Sequence, residues 1–303
     1  MPGRRIDLIG LATDAGAATR GATMGPEALR IAGLPETLEG LGHEVADTGD
    51  FWPEESGAKP ERRRAEILAV AANASDRGYG ALKAGNFPLF LGGDHSISMG
   101  SVSGVARWCN ERRKELFVLW FDAHGDFNTP AISPSGNLHG MALALLCGEV
   151  EFDDAFGGAW RGEVDPAHVT LFGARSIDAG ERALLEERGI EVVDMRLIDE
   201  QGVVAPIRRL IERVTEAEGH LHLSLDVDAM DPSLAPAVGT TVPGGFTYRE
   251  AHLVMEMLHD AGIVGSMDIV ELNPFLDHAG KSALLLVDLA ASLFGRRIMG
   301  RRG

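Results

Sequence analysis

The sequence predicts an α/β protein with a three-layer α/β/α arrangement, in which helices cover both faces of a central, mostly parallel sheet of eight strands. Two observations predict it. Short apolar runs recur along the 303 residues, and stretches with apolar residues at three- and four-residue spacing separate them. Three of the runs also empty into turns rich in aspartate, histidine and glycine. In open parallel sheets that is the ligand-binding edge, beyond the carboxyl ends of the strands.

In chain order the strand-like runs are 5–11, 43–46, 88–91, 117–121, 168–172, 190–193, 221–225 and 264–270. The first carries Asp7, which interrupts the only stretch resembling a signal peptide. Crossover helices are expected over 62–84, 203–217 and 248–259. Length alone gives a prior near two domains, but there is no internal repeat and no linker longer than the 53–60 loop. The expectation is one catalytic domain over 1–303.

The apolar fraction of 45% suits a globular core, and no run approaches the roughly 18 apolar residues of a membrane span. The net charge of −17 argues against a nucleic-acid partner, which calls for a clustered basic face, and it favours a small cationic substrate. Much of that excess reads as solvated charge, as at 151–154 and 212–218. The one basic cluster, the arginine-rich tail over 296–302, reads as a frayed terminus or an oligomer contact. Cys109 and Cys147 make neither a disulfide framework nor a metal spacing, so they are expected as buried, reduced thiols in a cytoplasmic protein.

The chemistry is concentrated where three runs end. Leu116-Phe117-Val118-Leu119-Trp120-Phe121 delivers Asp122-Ala123-His124-Gly125-Asp126; side chains alternate along a strand, so Asp122 and His124 leave on one side and Asp126 can join them. Taken alone, a strand-end aspartate is more readily a cap for the next turn than a metal ligand. The run 221–225 ends in Asp226-Val227-Asp228, again two acids on one face, and adjacent buried acids repel unless something neutralises them. Phe87-Pro88-Leu89-Phe90-Leu91 is followed by Gly92-Gly93-Asp94-His95, whose glycines permit a sharp turn that returns His95 over the sheet edge.

The candidate ligands are therefore His95, Asp122, His124, Asp126, Asp226 and Asp228. A closed zinc site needs four ligands, usually nitrogen or sulfur. An oxygen-rich set of this size suits two divalent ions sharing carboxylates, with manganese favoured by ligand type. A water between ions roughly 3.5–4 Å apart becomes a hydroxide nucleophile near neutral pH, so the implied reaction class is hydrolysis. His139 lies within loop reach and reads either as a general acid or proton shuttle, or as a satisfied structural histidine. Glu271, at the end of another strand, either receives a planar guanidinium or caps a helix.

Taken together, Gly92-Gly93-Asp94-His95-Ser96, Asp122-Ala123-His124-x-Asp126, Ser135-Gly136-Asn137-Leu138-His139-Gly140, Ser224-Leu225-Asp226-Val227-Asp228, Asp231-Pro232, Val242-Pro243-Gly244-Gly245 and Glu271-x-Asn273-Pro274 resemble the arginase branch of the ureohydrolase family. The resemblance spans nearly the whole chain. It implies a three-layer fold around an eight-stranded parallel sheet, two Mn2+ ions, and hydrolysis of a guanidino group to urea plus an amine, with L-arginine giving L-ornithine. Homotrimers or homohexamers are common in the family. Residue by residue it makes Asp122, Asp126 and Asp226 metal sharers, His139 the proton shuttle and Glu271 the guanidinium partner, with Asp126 counted among the catalytic groups. Asp94 becomes an acid behind the ligands. Asn128, Ser135, Asn137, Asp178 and Thr240 become the groups holding the amino-acid end of the substrate.

Departures from the family pattern are Gly125 and Ser133 where threonine is common, Ser176 where aspartate is common, Thr241 where proline is common, and the 13–23 loop. They leave an agmatinase or another guanidino-acid amidinohydrolase as the alternative, although agmatinases lack the Ser-Gly-Asn-Leu-His loop. A binuclear metallophosphatase would need further ligand elements that are not in register here. A non-catalytic ligand-binding protein on the same fold would be expected to have lost His139 or a ligand, and all are intact.

Overall fold

The computed structural model describes residues 3–53, 60–149, 152, 156 and 158–297. Eight strands form one sheet: β1 (Arg5–Leu11), β2 (Glu44–Phe51), β3 (Phe87–Gly92), β4 (Leu116–Phe121), β5 (Val169–Ala174), β6 (Glu191–Asp194), β7 (His220–Asp226) and β8 (Val264–Val270). Their spatial order is β2-β1-β3-β8-β7-β4-β5-β6, and every neighbouring pair is parallel. All eight expected runs are strands. The second is longer than the expected 43–46, because β2 is an edge strand whose polar half, Asp47 to Asp50, still pairs with β1. That half is held by Arg30, which contacts Asp47 and Asp50 at 2.7 Å each.

The connections are helices α1 (Gly25–Ile31), α2 (Leu34–Gly40), α3 (Pro60–Lys83), α4 (Ser98–Arg112), α5 (Ala142–Leu146), α6 (Ala179–Arg188), α7 (Met195–Gln201), α8 (Val204–Glu216), α9 (Tyr248–Ala261) and α10 (Lys281–Leu293). The three expected helices appear as α3, α8 and α9. α9 begins at a capping box, with Thr247 Oγ1 accepting from the Glu250 amide and Glu250 Oε2 accepting from the Thr247 amide. It stops where Gly262 takes a left-handed φ of 68°, two residues beyond the sequence expectation.

The period of two along the strands divides the core into layers. In β4, Phe117, Leu119 and Phe121 pack with residues of α1, α2 and α7 to α10. Val118 and Trp120 pack on the opposite side with α3 to α6. A run buried on both faces has no polar position to spare, which is why β4 is six apolar residues in succession. Strands β3, β8, β7 and β4 lie side by side, so their carboxyl ends bring Gly92, Val270, Asp226 and Phe121 to one edge.

The cysteines are unpaired, Cys109 buried in α4 and Cys147 half-buried just after α5. The acids at 212–218 stand on and just after α8, with Glu212, Glu216 and Glu218 exposed. Most of the 53–60 loop, the acids Glu151, Asp153 and Asp154, and the tail from 298 onward lie outside the described residues. Arg296 and Arg297 pair with Asp288 and Asp260. Among the described residues, no helix is long and apolar enough to cross a membrane.

Candidate metal centre and substrate cleft

The four adjacent strand ends build the site. β4 and β7 each deliver an aspartate whose two oxygens do different work. Asp122 Oδ1 accepts the His124 amide at 2.7 Å and Asp226 Oδ1 accepts the Asp228 amide at 2.7 Å, so each aspartate caps the turn after its strand. The other oxygen of each turns inward, to 3.0 Å and 3.1 Å from His95 Nδ1. Capping and convergence, alternatives in the sequence, are both present.

Asp126 Oδ2 lies 2.9 Å from the same nitrogen. Three carboxylate oxygens thus surround His95 Nδ1, yet none is aligned to accept a hydrogen bond from it. A lone pair aimed between three anions is what a cation ligand requires, so this geometry fits a metal. A second cluster lies beside it: His124 Nδ1 is 3.0 Å from Asp228 Oδ2 and 3.5 Å from Asp122 Oδ1. The two groups, His95-Asp122-Asp126 and Asp122-His124-Asp228, can each hold an ion and share Asp122. With Asp226, all six expected ligands meet here.

The electrostatics show an excess of buried negative charge. Burial and repulsion from Asp228 and Asp122 push the Asp226 carboxyl well above the usual range. Burial and Asp122 push Asp228 up to about 6. Asp122 is the exception: burial would raise it, but the neighbouring His124 and His95 imidazoles hold it below the carboxylate range. Burial opposes the charging of His124, yet Asp228 and Asp122 outweigh it and push the imidazole up to about 12. Four acids and two imidazoles cannot all be neutralised internally, whereas two dications balance four carboxylates.

His95 is fixed from behind. Its ring stacks on Trp120 at 4.2 Å and 5°, and the Trp120 indole donates to Asp122 Oδ2 at 3.0 Å. His95 Nε2 meets Ser224 Oγ at 2.8 Å, Ser224 donates to Asp268 Oδ1 at 2.5 Å, and Asp268 Oδ2 meets His222 Nε2 at 3.1 Å. His222 and His220 then share Ser266 Oγ, each at 2.9 Å, so a buried polar chain runs the length of β7 and β8. Asp94 caps the turn carrying His95 by accepting the Ser96 amide at 2.9 Å, and it also accepts the Gly16 amide at 2.7 Å. It therefore stands behind the cluster, as expected, and ties the 13–23 loop to it.

His139 and Glu271 form one unit. His139 Nδ1 and the His95 amide both lie 2.8 Å from Glu271 Oε1. Burial favours a neutral His139, but Glu271, Asp94 and Asp126 prevail and push it up to about 9. Burial likewise opposes ionisation of Glu271, which His139 nonetheless holds below its ordinary value. Two site residues adopt a left-handed backbone uncommon for non-glycine residues, Asp126 at φ 48° and Glu271 at φ 64°. Each is over-determined: the Asp126 carbonyl accepts the Leu143 amide, and the Glu271 amide donates to the Gly93 carbonyl.

Above the cluster is a cleft of about 210 Å3. Buried His95, Asp126, Asp226 and Asp228 line its floor, and exposed Ser135, Ser176, Asp178 and Thr240 line its rim, with Asn128, Asn137 and His139 between. Glu271 does not line it and sits behind His139. Asn128 Nδ2 donates to Asp178 Oδ2 at 3.2 Å, while Asn128 Oδ1 is buried without a partner. Thr240 Oγ1 donates to Asp228 Oδ2 at 3.3 Å, joining rim to floor.

Beside the cleft, Glu181 escaped sequence reasoning, as Asp268 did behind His95. Glu181 accepts the Phe127 amide at 2.8 Å and the Asp178 amide at 3.2 Å, pinning the segment after the metal turn to the start of α6. The only trace in the sequence is the Asp178-x-x-Glu181 capping pattern. Glu181 also explains Gly125: a Cβ at that position would lie 2.6 Å from Glu181 Oε1. Gly125→Thr is therefore expected to cost about 1–3 kcal/mol by forcing the carboxylate off its two amides. Denaturant unfolding measures it, and an unchanged midpoint would mean that Glu181 repacks freely.

The comparisons with known proteins agree with this geometry. The Arginase family model matches residues 4–295. The arginase of Agrobacterium fabrum is 48% identical over 303 residues, covering 98% of this chain and 93% of its own. That of Brucella melitensis is 46% identical over 301 residues, covering 97% of each. The solved structure of the Bacillus caldovelox arginase superposes with a TM-score of 0.90 at 40% identity, covering 98% of this chain and 100% of that one.

Proposed function

The chain belongs to the arginase family, and from that membership we propose that it hydrolyses the guanidino group of L-arginine to L-ornithine and urea. The observation that carries the reading is a double anionic cluster, built to hold two cations, beneath a cleft whose rim is polar. His95, Asp122, His124, Asp126, Asp226 and Asp228 are the proposed ligands, and their oxygen-rich donor set favours manganese. When bound, the two ions supply Lewis-acid activation of a water near neutral pH.

The protein's own groups do the rest. Asp126, on the cleft floor, orients the attacking water. His139, kept protonated by Glu271, hands a proton to the departing amine. Its Nε2 is engaged by no described residue and is free for that transfer. Glu271, behind His139, is the proposed partner of the guanidinium of the bound substrate, ahead of that proton transfer. Asn128 Oδ1 and Asp178 offer acceptors to the substrate ammonium, while Ser135 and Asn137 offer donors to its carboxylate and Thr240, its hydroxyl given to Asp228, holds the rim beside them. The proposed setting is one catalytic domain over residues 1–303, assembled as a homotrimer or homohexamer in the cytoplasm, where the two thiols stay reduced.

Incubating the manganese-loaded protein with arginine, agmatine and a series of guanidino acids, and assaying urea, tests chemistry and substrate together. No urea from any of them would overturn the reading. His139→Asn should lower turnover by about 10²-fold or more and leave the metal content unchanged, as loss of a proton-transfer group does. An unchanged rate would return His139 to a structural role. Activity should rise with pH through neutrality as the attacking water ionises. Because the raised His139 keeps its proton up to about 9, the donor remains available across that range and is lost only above it.

A further inference from the structure

At the opposite end of the sheet, where the strands begin, a second cavity of about 480 Å3 opens among Arg4, Arg5, Phe87, Trp108, Lys114 and His220. Its wall carries three cations and no carboxylate, on a chain whose net charge is −17. Arg4 is fixed in that wall: it donates to the Val264 carbonyl at 2.7 Å, and its guanidinium carbon stands 5.5 Å from the centre of the Phe87 ring. Arg5 approaches Glu44 at 3.5 Å, but their side chains are 55% and 71% exposed, so solvent screens that pair. Lys114 makes no ion pair with any described residue. His220 registers the resulting field, being pushed down to about 3 by burial first and then by His222, Lys114 and Arg4. Beside it, the Trp108 ring packs at 5.4 Å and supplies an apolar surface.

We propose that this cavity binds a small organic anion, a carboxylate or phosphate monoester with an aromatic or apolar body. Guanidinium and ammonium groups supply the countercharge and the donors that either headgroup needs. Trp108 supplies the apolar wall, and the volume lies within the roughly 300–1,000 Å3 of small-molecule sites. The two cavities thus have opposite preferences: the aspartate cleft attracts cations, and this one attracts anions. The proposal does not depend on the hydrolase chemistry, because no residue of the cleft contributes to it.

Titration calorimetry of the metal-loaded protein at low ionic strength tests it, with benzoate, phenyl phosphate and benzylamine as probes. At least one of the anions should bind once per chain, the tighter of the two identifying the headgroup, and benzylamine should bind far more weakly. Arg5→Glu combined with Lys114→Glu should weaken the anion by at least about tenfold. These side chains are partly or fully exposed, so folding is preserved, and arginine kcat and KM should not change. Absence of anion binding, equal binding of benzylamine, or an affinity that survives the double substitution would each overturn the proposal; the last would place the anion elsewhere, as at the metal centre.

Discussion

Stripping divalent cations from the protein is expected to lower urea production by at least about 10³-fold, with manganese restoring it best. The expectation rests on the charge balance of the cluster. Three carboxylate oxygens lie within 2.9–3.1 Å of His95 Nδ1 without hydrogen-bonding to it, and Asp226 is pushed well above the ordinary carboxyl range. Without cations those acids repel one another or take up protons, and neither state activates water. Asp226→Asn and His124→Asn should each lower the bound metal toward one ion per chain along with the activity. Loss of metal should also lower the unfolding midpoint, since an ion held at 100 times its dissociation constant stabilises the folded state by about 2.7 kcal/mol. Elemental analysis paired with the urea assay is decisive: full activity in metal-free protein, or two tightly held ions in either variant, removes these residues from the site.

Arginine should exceed agmatine in kcat/KM by at least about 10²-fold. Agmatine lacks the α-carboxylate, so it strands the donors proposed at Ser135 and Asn137. A buried site built for hydrogen bonds rejects an analogue missing them by roughly 10⁴-fold, against roughly 10–200-fold for a lost methylene. The lower bound applies because Ser135 and Thr240 are exposed on the rim, where water replaces part of the lost contact. Asn128→Ala with Ser135→Ala should shrink the ratio, mostly by impairing arginine. Comparable efficiency on agmatine would keep the hydrolase chemistry and overturn the arginine assignment.

The proposed ligands were legible in the sequence because they follow apolar runs closely. A strand buried on both faces has to shed its first polar residues at its carboxyl end, and Asp122, Asp226 and His95 sit within a few residues of such ends. The order of the strands was not legible. Nothing local to 87–92 or 264–270 states that β3 lies beside β8, yet that adjacency carries Glu271 to the His95 amide. Nor was the support behind the ligands legible. Glu181 looks like any helix-capping acid, and Asp268 looks like a polar interruption in an apolar strand. Their roles arise from pairings across 54 residues to Phe127 and 44 residues to Ser224. The polar half of β2 was missed for a related reason, since an edge strand needs only one paired side and tolerates a composition that resembles a loop.

The left-handed backbones of Asp126 and Glu271 set stability against activity at the two positions. An L-residue held there costs on the order of 1–2 kcal/mol, which glycine would recover in full and asparagine in part. Selection for a sturdier fold alone would therefore drift toward glycine at 126 and 271, and would lose a carboxylate each time. That aspartate and glutamate stand there instead means the strain is tolerated for what the carboxylates do. A search for stabilised variants of this protein that ranks substitutions by folding free energy would nominate these two positions early and, by the roles proposed for the two carboxylates, would disable the protein by accepting them.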